Sequence, residues 1–393
     1  MSSDAVPYPP APGARIFVGL SGGVDSAVAA LLLKRQGYEV TGLFMQNWEE
    51  IDGDGRCSVA EDLADAQAVC ERLDLPLQTA NFAEEYWARV FSRFLDEHRA
   101  GRTPNPDVLC NREIKFDLFL KLARQRGADA IATGHYARIA PYGDGLALRR
   151  AADRGKDQTY FLHSLGPQEL SRSLFPLAGL AKREVREIAH REGLPVANKK
   201  DSTGICFIGE RPFQAFLAEY LPEAPGEIVD ETGRVLGEHV GLAFYTLGQR
   251  QGLGIGGLRG ARGPWFVAAK QMSTNRLVVV QGHDHPLLLS SGLVAQECSW
   301  VAGAPPGVEF ACSLQTRYRQ RDQPCRVRLL DTGQAEVRFE QPQRAVTPGQ
   351  FAVLYDRDVC LGGGVIARVA PLDTRAAATT GVDRSRGFSS ASR

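Results

Sequence analysis

The chain has 393 residues, of which 44% are hydrophobic and 23% are charged, and its 46 Lys and Arg residues balance 46 Asp and Glu residues. This length exceeds the ~100–200 residues of one domain, so two or three domains are predicted. A net charge of zero excludes a generally basic nucleic-acid-binding surface, but not a local basic patch. The apolar stretch at residues 27–33 is far shorter than the ~18 residues of a membrane span, and the Pro-rich start lacks the apolar region of a secretory signal. The sequence therefore predicts a cytoplasmic protein with no membrane partner.

The first 140 residues alternate between short apolar runs and segments with apolar residues at helical spacing. Strands are predicted at residues 16–20, 40–45, 77–81 and 130–133, and helices at residues 27–35, 59–73, 84–98 and 114–125. Strands separated by helices are typical of an α/β fold with a doubly wound parallel sheet. In such a sheet, ligands bind at the carboxyl ends of the strands.

The composition changes after about residue 210, where a Gly-rich stretch covers residues 225–260. Beyond residue 290, short alternating runs separated by turn residues indicate a small antiparallel β-barrel or sandwich. These runs lie at residues 308–314, 325–330, 335–339, 351–355 and 360–365. The predicted organisation is a flexible N-terminus at 1–14, a catalytic domain at 15–210, a small central domain at 211–285, a C-terminal β-barrel at 286–372 and a disordered tail at 373–393.

A Gly-rich loop, SGGVDS, lies between the first predicted strand and helix. Its glycines permit a tight turn, Ser21 and Ser26 offer hydroxyls, and the N–H groups of the following helix point at the same place, so the loop could hold an anion. It is neither a Walker A loop nor a Gly-x-Gly-x-x-Gly motif. The alternative is an ordinary strand–helix turn that happens to be rich in glycine.

SGGVDS resembles the PP-loop of ATP pyrophosphatases, which cleave ATP to AMP and pyrophosphate while adenylating a substrate. The resemblance implies that Met45 and Gly134 border the adenine and ribose, although the sequence alone favours simple core packing for Met45. It also implies that the loop itself contacts ATP through Gly19, Leu20, Ser21, Gly22, Gly23, Val24, Asp25 and Ser26.

Two of the eight cysteines lie in unusual surroundings. Cys110 follows a loop with two prolines, and a helix is predicted to begin just after it, near Arg112 and Lys115. A helix N-terminus and nearby cations favour a thiolate, and Asp107 could transfer a proton. Cys206 lies in a Gly-containing loop with basic flanks. Each cysteine alone could be structural, but beside a PP-loop one could carry sulfur as a persulfide and the other could attack it.

The other six cysteines are expected to be structural, because the sequence contains no Cys-x-x-Cys pair and no Cys/His spacing typical of zinc. In a reducing compartment such cysteines behave as small buried hydrophobic residues. No protein-bound metal site is therefore predicted. These six are Cys57, Cys70, Cys298, Cys312, Cys325 and Cys360.

Taken together, the motifs resemble one family, the tRNA-specific 2-thiouridylases, over about residues 15–370. They are SGGVDS, FMQNWEE, GRTPNPDVLCNREIKF, TGHYAR, KDQTYFL, DSTGICFIGER, YTLGQRQGLGIGG, TRYRQ, TPGQ and CLGGG. One departure is Ala27, which follows SGGVDS where a second Ser is common. The resemblance implies a tRNA-uridine 2-sulfurtransferase that uses ATP with Mg²⁺ to place sulfur at C2 of the wobble uridine. Its partners would be the tRNA anticodon arm and an upstream protein that carries persulfide sulfur.

The same resemblance implies roles for individual residues. Cys110 would be the nucleophile and Cys206 the persulfide carrier, the two forming a disulfide once sulfur has left, with Asp107 as the acid/base. Asn105, Pro106 and Asp107 would line the target base. The remaining tRNA contacts would be His135, Lys156, Asp157, Gln158, Arg317, Tyr318 and Gln350.

Some of these roles have plain alternatives. His135 could be a satisfied structural histidine, and Lys156 and Gln158 could be ordinary surface residues. Residues 317–328 hold five arginines against one aspartate, which suits phosphate contacts but also suits a solvated strand face. Two other functions stay open: another PP-loop enzyme, such as an amidotransferase-type synthetase that needs neither cysteine, and a non-enzymatic tRNA-binding or sulfur-carrier protein.

Overall fold

The computed structural model describes residues 8–48, 58–201, 213–256 and 263–372. The predicted tail at 373–393, the first seven residues, Cys57 and Cys206 lie outside the described residues. Among the helices in these ranges, none combines the length and the apolar character that a membrane crossing requires.

The N-terminal half contains a five-stranded parallel sheet with the strand order β3-β2-β1-β4-β7. Its strands and the adjoining hairpin are β1 (Arg15–Leu20), β2 (Glu39–Gln46), β3 (Leu77–Asn81), β4 (Ala130–Ala132), β5 (Ala137–Tyr142), β6 (Gly145–Arg150) and β7 (Ser173–Leu174). The central strand is buried from Ile16 to Leu20, as expected for a parallel strand with both faces covered. The predicted α/β fold with a doubly wound sheet is confirmed.

Helices connect the strands of this sheet and continue into the next part of the chain. They are α1 (Val24–Arg35), α2 (Ser58–Leu73), α3 (Ala83–Tyr86), α4 (Ser92–Arg99), α5 (Pro106–Cys110), α6 (Leu120–Gln125), α7 (Thr159–Leu162), α8 (Pro167–Ser171), α9 (Lys182–Arg191) and α10 (Phe213–Ala218). Two π-helical segments, Trp87–Phe91 and Asn111–Phe119, join α3 to α4 and α5 to α6. The first helix ends as its sequence predicts, because Gly37 adopts a φ of +83° that other residues rarely tolerate.

The helix that carries Cys110 begins earlier than predicted. Pro106 is its first residue, and Asn105 caps it, since the Asn105 Oδ1 accepts a hydrogen bond from the Asp107 N–H at 3.1 Å. Proline is favoured at the first helical position because its fixed φ suits the helix and its missing N–H would have no partner there. The prediction of a helix starting after Cys110 was therefore wrong, and Cys110 lies at the end of the first full turn.

The C-terminal half contains two β-structures. A four-stranded sheet has the order β10-β11-β8-β9, and a six-stranded antiparallel barrel closes where β12 pairs with β17. The predicted C-terminal barrel is confirmed, although its long first strand was missed. The strands are β8 (Gly226–Val229), β9 (Val235–His239), β10 (Trp265–Gln271), β11 (Arg276–Gln281), β12 (Leu289–Trp300), β13 (Glu309–Gln315), β14 (Gln323–Leu329), β15 (Ala335–Arg344), β16 (Phe351–Asp356) and β17 (Val359–Pro371).

The hairpin β5–β6 joins the two halves. It leaves the parallel sheet just after β4, and Leu148 and Arg149 pair with Cys360 and Val359 of the barrel strand β17. The α/β domain and the barrel therefore share one continuous eight-stranded sheet. Backbone pairing of this kind holds the barrel at a set position relative to the nucleotide loop.

Candidate nucleotide and sulfur-transfer site

The predicted nucleotide loop lies at the point where the strand order of the parallel sheet reverses. The chain leaves β1 at Leu20, turns through Ser21–Ser26 and enters α1, while β2 and β4 flank β1 on either side. Between β1 and β4 the connections run in opposite directions, which leaves a crevice at the carboxyl edge. The segments that follow β2 and β4 therefore border the same crevice.

The loop has the geometry of an anion site. The Ser26 Oγ donates a hydrogen bond to the Gly23 carbonyl at 3.0 Å and accepts one from the Ser21 N–H at 3.2 Å. Gly22 has a φ of +70°, and a Cβ there would come within 2.6 Å of the Asp62 carbonyl oxygen. Gly23 is the N-cap of α1 and provides no side-chain cap. The first N–H groups of α1 have no partner within the helix and are placed to bind an anion.

Two further residues predicted for the nucleotide contact this loop. A Cβ on Gly134, which follows β4, would come within 2.7 Å of the Ser26 backbone nitrogen, so only glycine fits there. On the other side, a Cβ on Gly19 would come within 3.3 Å of the Met45 Cε. Met45 is only 7% exposed and also packs in the core, so its role beside the adenine stays a prediction.

A charge cluster joins the nucleotide loop to the segment before Cys206. We define it as Asp25, Lys156, Lys182, Arg186 and Asp201. The Lys182 Nζ lies 2.8 Å from both carboxylate oxygens of Asp25 and 2.8 Å from the Asp201 Oδ1. Asp201 also accepts hydrogen bonds from Lys156 at 2.7 Å and Arg186 at 2.5 Å. Three cations thus face these two carboxylates, and the Lys182 N–H also donates to a third carboxylate, that of Asp153, at 3.0 Å.

The sequence reasoning missed Lys182 and Asp201. Lys182 is the first residue of α9, where the helix dipole disfavours a cation, and its side chain is only 12% exposed. The two carboxylates offset that cost. Burial raises the pKa of Asp201, but the hydrogen bonds and charges of Lys182 and Lys156 outweigh it and hold the pKa well below its usual range. A lysine in the first turn of an amphipathic helix was the available sequence signal.

The predicted tRNA contacts Lys156, Asp157 and Gln158 are engaged within the protein. Asp157 is buried and accepts hydrogen bonds from the Ala151 N–H at 2.8 Å and the Thr159 hydroxyl at 2.6 Å. The Gln158 side chain accepts a bond from the Tyr136 N–H at 2.9 Å, and the Tyr136 hydroxyl donates to Asp25 at 2.8 Å. This segment therefore supports the nucleotide loop, and its contact with tRNA stays a prediction.

Cys110 and Asp107 lie on one face of the same helix, three residues apart. Asp107 is half-buried, whereas Cys110 is fully buried in the core cluster that also contains Met45 and Phe119. Because α5 begins at Pro106, Cys110 does not lie at a helix N-terminus, and that predicted source of thiolate stabilisation is wrong. Cys206 lies outside the described residues, five positions after Asp201.

His135 follows β4 and is 8% exposed. Its Nδ1 lies 2.7 Å from the Thr133 hydroxyl, and its ring packs between Phe116 and Phe175. Burial, and secondly the charge of Lys115, lower the pKa of His135 well below 6.5, so the imidazole is neutral. These surroundings match the structural alternative, and a contact with tRNA stays a prediction.

The barrel residues predicted to contact tRNA lie where the barrel meets the α/β domain. Arg317 is exposed and donates a hydrogen bond to the Arg344 carbonyl at 3.0 Å. The Tyr318 ring is half-buried, with its centroid 4.4 Å from that of Phe161. Gln350 does not point away from the protein, because its amide nitrogen lies 2.8 Å from the Thr103 carbonyl oxygen.

Family comparisons agree with this three-part architecture. The tRNA methyl transferase HUP domain matches residues 14–210, the tRNA methyl transferase PRC-barrel domain matches residues 214–281, and the aminomethyltransferase beta-barrel domain matches residues 290–366. The fold and the loop thus define a HUP-domain protein with two appended β-domains.

Curated relatives cover almost the whole chain. A protein of Methylobacillus flagellatus named tRNA-specific 2-thiouridylase MnmA is 57% identical over 90% of this chain and 98% of its own length. A protein of the same name from Methylococcus capsulatus is 58% identical over 92% of this chain and 98% of its own. The chain belongs to the tRNA-specific 2-thiouridylase family. Among solved structures, a 4-thiouridine synthetase–RNA complex with bound ATP is 20% identical, covering 50% of this chain and 45% of its own, with a TM-score of 0.35.

Proposed function

We propose that this protein uses ATP to replace the C2 oxygen of the wobble uridine of tRNA by sulfur. The relatives named 2-thiouridylase support the reaction, since this chain spans 98% of their length. The observation that carries the proposal is the charge cluster, which ties Asp25 of the nucleotide loop to Asp201. Asp201 lies only five residues before Cys206 in the sequence. The segment that leads to the proposed sulfur carrier therefore begins at a residue held beside the proposed ATP site.

The loop suits a triphosphate. The N–H groups at the start of α1 bind phosphate oxygens, and the ammonium group of Lys182 in the cluster stabilises them. The described residues include no group of three or more His, Cys, Asp or Glu side chains placed to hold a metal ion. Mg²⁺ typically keeps several waters and binds through one or two carboxylates and substrate phosphates, so Asp25 is the loop residue that would help to hold it. When bound, the ion neutralises charge on the phosphates.

Adenylation comes first. The C2 oxygen of the uridine attacks the α-phosphorus of ATP, the bond to the bridging oxygen breaks, and pyrophosphate leaves. The C2 oxygen then leaves as part of AMP, which is a far better leaving group than oxide. The Lys182 ammonium group stabilises the charge that develops on the phosphates during this step.

Sulfur transfer follows from a persulfide on Cys206, loaded by an upstream persulfide-carrier protein. The Cys110 thiolate attacks the Cys206 sulfur, a Cys110–Cys206 disulfide forms, and hydrosulfide is released. Hydrosulfide adds to C2 and AMP departs, with Asp107 accepting or returning the proton. In the second route the terminal persulfide sulfur attacks C2 directly and AMP departs. Cys110 then attacks the Cys206 sulfur, which breaks its bond to the transferred sulfur and leaves that sulfur on C2. Both routes leave the disulfide for a cellular thiol reductant.

The uridine must leave its stack to reach this site, which suits an anticodon loop whose bases are already partly unstacked. Asn105, Pro106 and Asp107 line the target base in this proposal. The exposed Arg317 contacts backbone phosphates, and the central sheet and barrel hold the anticodon arm.

The test is thiolation of unmodified tRNA in the presence of ATP, Mg²⁺ and a persulfide source, followed by mass spectrometry of the digested nucleosides. We expect 2-thiouridine from the native protein and none from Cys110→Ser or Cys206→Ser. Cys298→Ser is the matched control, because Cys298 is a half-buried barrel cysteine outside the proposed mechanism, and it should leave the yield unchanged.

Other outcomes point to the alternatives. Full turnover by both serine variants would favour a different PP-loop enzyme. Tight tRNA binding without conversion of ATP to AMP would favour a binding or carrier protein. A methylated nucleoside in place of a thiolated one, which mass spectrometry distinguishes, would favour the methyl transfer after which two of the matching domains are named.

A further inference from the structure

The segment just before Asn105 is held by all three parts of the molecule. We call this contact the Thr103 junction and define it as Thr103, Pro104, Thr246, Pro348 and Gln350. The Thr103 N–H donates to the Pro348 carbonyl at 3.0 Å, and the Thr103 hydroxyl lies 3.3 Å from that of Thr246. The Gln350 Nε2 donates to the carbonyls of Thr103 at 2.8 Å and Pro104 at 3.3 Å. The α/β domain, the central part and the barrel therefore meet at one residue.

The orientation of Gln350 follows from its partners. Both are carbonyl oxygens, so only the NH₂ group of the amide can face them. The backbone of Gln350 is itself held in the barrel, because its N–H donates to the Thr347 carbonyl and its carbonyl accepts from the Ile366 N–H at 2.8 Å. The amide therefore projects from a rigid base onto the Thr103 segment.

The preceding residue makes this contact close. Gly349 has a φ of +92°, and a Cβ there would come within 2.9 Å of the Thr103 backbone nitrogen. Backbone packs directly on backbone at this point, without an intervening side chain. The barrel loop and the Thr103 segment therefore cannot shift independently.

The position of Thr103 is transmitted to the proposed target-base loop. Pro104 and Pro106 are both buried, and their rings restrict φ on either side of Asn105. Asn105 in turn caps the helix through its bond to the Asp107 N–H. The chain between the contact with the Gln350 amide and the Asp107 carboxylate therefore has little conformational freedom.

We propose that Gln350 is a positioning residue that holds the Asn105–Asp107 loop for reaction, and not a contact residue for tRNA. This role rests on the proposed thiolation, in which Asp107 transfers a proton beside the target uridine. The barrel thereby sets the geometry of the catalytic loop across the domain boundary. Gln350 acts through Asp107 and does not touch the reacting atoms.

A contact role and a positioning role predict different kinetics. Loss of a tRNA contact weakens tRNA binding and leaves the rate at saturating tRNA unchanged. Loss of a positioning residue lowers that rate and leaves the tRNA Kd unchanged, because orientation of reacting groups affects the transition state. Gln350→Ala should lower the single-turnover thiolation rate at saturating tRNA about tenfold and change the tRNA Kd less than about twofold.

Two variants sharpen the comparison. Gln350→Glu keeps the size of the side chain but places a negatively charged carboxylate against two carbonyl oxygens, to which it cannot donate. This variant should therefore lower the rate at least as much as Gln350→Ala. Arg317→Ala, on the exposed barrel loop, is the control for a lost tRNA contact and should raise the Kd with little change in the saturated rate. A raised Kd with an unchanged rate for Gln350→Ala would overturn the proposal.

Coupling to Asp107 provides an independent test. If Gln350 acts through Asp107, Gln350→Ala should cost little further rate in an Asp107→Asn background, so the two effects should be less than multiplicative. Fully multiplicative effects would contradict the positioning role.

Hydrogen exchange of the peptide covering residues 103–110 tests the contact without turnover. Faster exchange in Gln350→Ala than in the native protein is expected, and equal exchange would contradict the proposal. An inactive native protein would count against thiolation itself, while the exchange measurement would still decide whether Gln350 orders this loop.

Discussion

Replacement of Lys182 by Met tests the charge cluster most directly. The Lys182 Nζ lies 2.8 Å from both oxygens of Asp25 and from the Asp201 Oδ1, and its side chain is 12% exposed. Methionine keeps the length and the apolar stem of lysine and removes the ammonium group. Asp25 and Asp201 would then lose the cation that they share, while Asp201 would keep Lys156 and Arg186.

The repulsion between the two carboxylates can be calculated from the distances. Since each oxygen lies 2.8 Å from one nitrogen, the two carboxylates are at most about 5.6 Å apart, and at an effective dielectric constant of about 20 they repel by about 3 kcal/mol. Both are about one-third exposed, with values of 32% and 30%, so solvent screening and the two cations that remain on Asp201 reduce this repulsion to about 1–2 kcal/mol. The triphosphate brings more negative charge to the same place. We therefore expect kcat/KM for ATP to fall by about 10–100-fold.

The assay is AMP formation against ATP concentration at saturating tRNA, with the tRNA Kd and Tm measured alongside. Lys182→Arg retains the charge and should lie between the native protein and Lys182→Met. The matched control is Lys121→Met, because Lys121 is a 66% exposed lysine paired with Asp117 on a helix surface, where such pairs contribute little. Native ATP kinetics in a folded Lys182→Met protein would refute the assignment of the cluster to the nucleotide site.

Two further predictions concern the loop and pH. Gly134→Ala should impair ATP binding by about 1–3 kcal/mol, because its Cβ would come within 2.7 Å of the Ser26 nitrogen, whereas Gly145→Ala, with open space around it, should bind ATP normally in the same titration. Burial lowers the pKa of His98, and that of His163, from 6.5 to about 4. As the pH decreases, these histidines are therefore protonated in the unfolded chain before they are protonated in the folded protein. The free energy of unfolding is highest above pH 6.5, and between pH 6.5 and 4 it falls by up to about 1.4 kcal/mol per pH unit for each histidine. The free energy of unfolding, measured with urea at several pH values in this range, should depend less steeply on pH in His98→Gln than in the native protein. An unchanged pH dependence would contradict the prediction.

The core of the nucleotide site could be predicted because its parts are adjacent in sequence. An apolar run, a Gly-rich turn and a helix with good helix formers define the β1–loop–α1 unit, and the structure contains each of them, with α1 beginning at Val24, three residues earlier than predicted. The helix start at Pro106 was wrong for a local reason. Two prolines were interpreted as a loop, although proline at the first helical position stabilises a helix when Asn105 caps it.

The contacts of Lys182 and Gln350 were not predicted for a different reason, since each side chain reaches a partner far away in sequence. Lys182 reaches Asp25 across 157 positions, and Gln350 reaches Thr103 across 247. Neither pair can be inferred from periodicity or spacing, because the partners converge only when the sheets have formed. The same holds for the β5–β6 hairpin, which pairs with β17 of the barrel.

The sequence by itself determined the elements with a local signature: the parallel strands β1 to β4, the Gly-rich turn after β1, five of the six barrel strands and the motifs of the 2-thiouridylase family. Tertiary structure decided which charges face the nucleotide loop, how deeply Cys110 and His135 are buried, and which domain holds the Thr103 segment. The physical reason is the sequence distance over which each kind of interaction acts. Helix and turn preferences act over a few residues, whereas burial, ion pairing and contacts between domains depend on groups that only the folded chain brings within a few ångströms of each other.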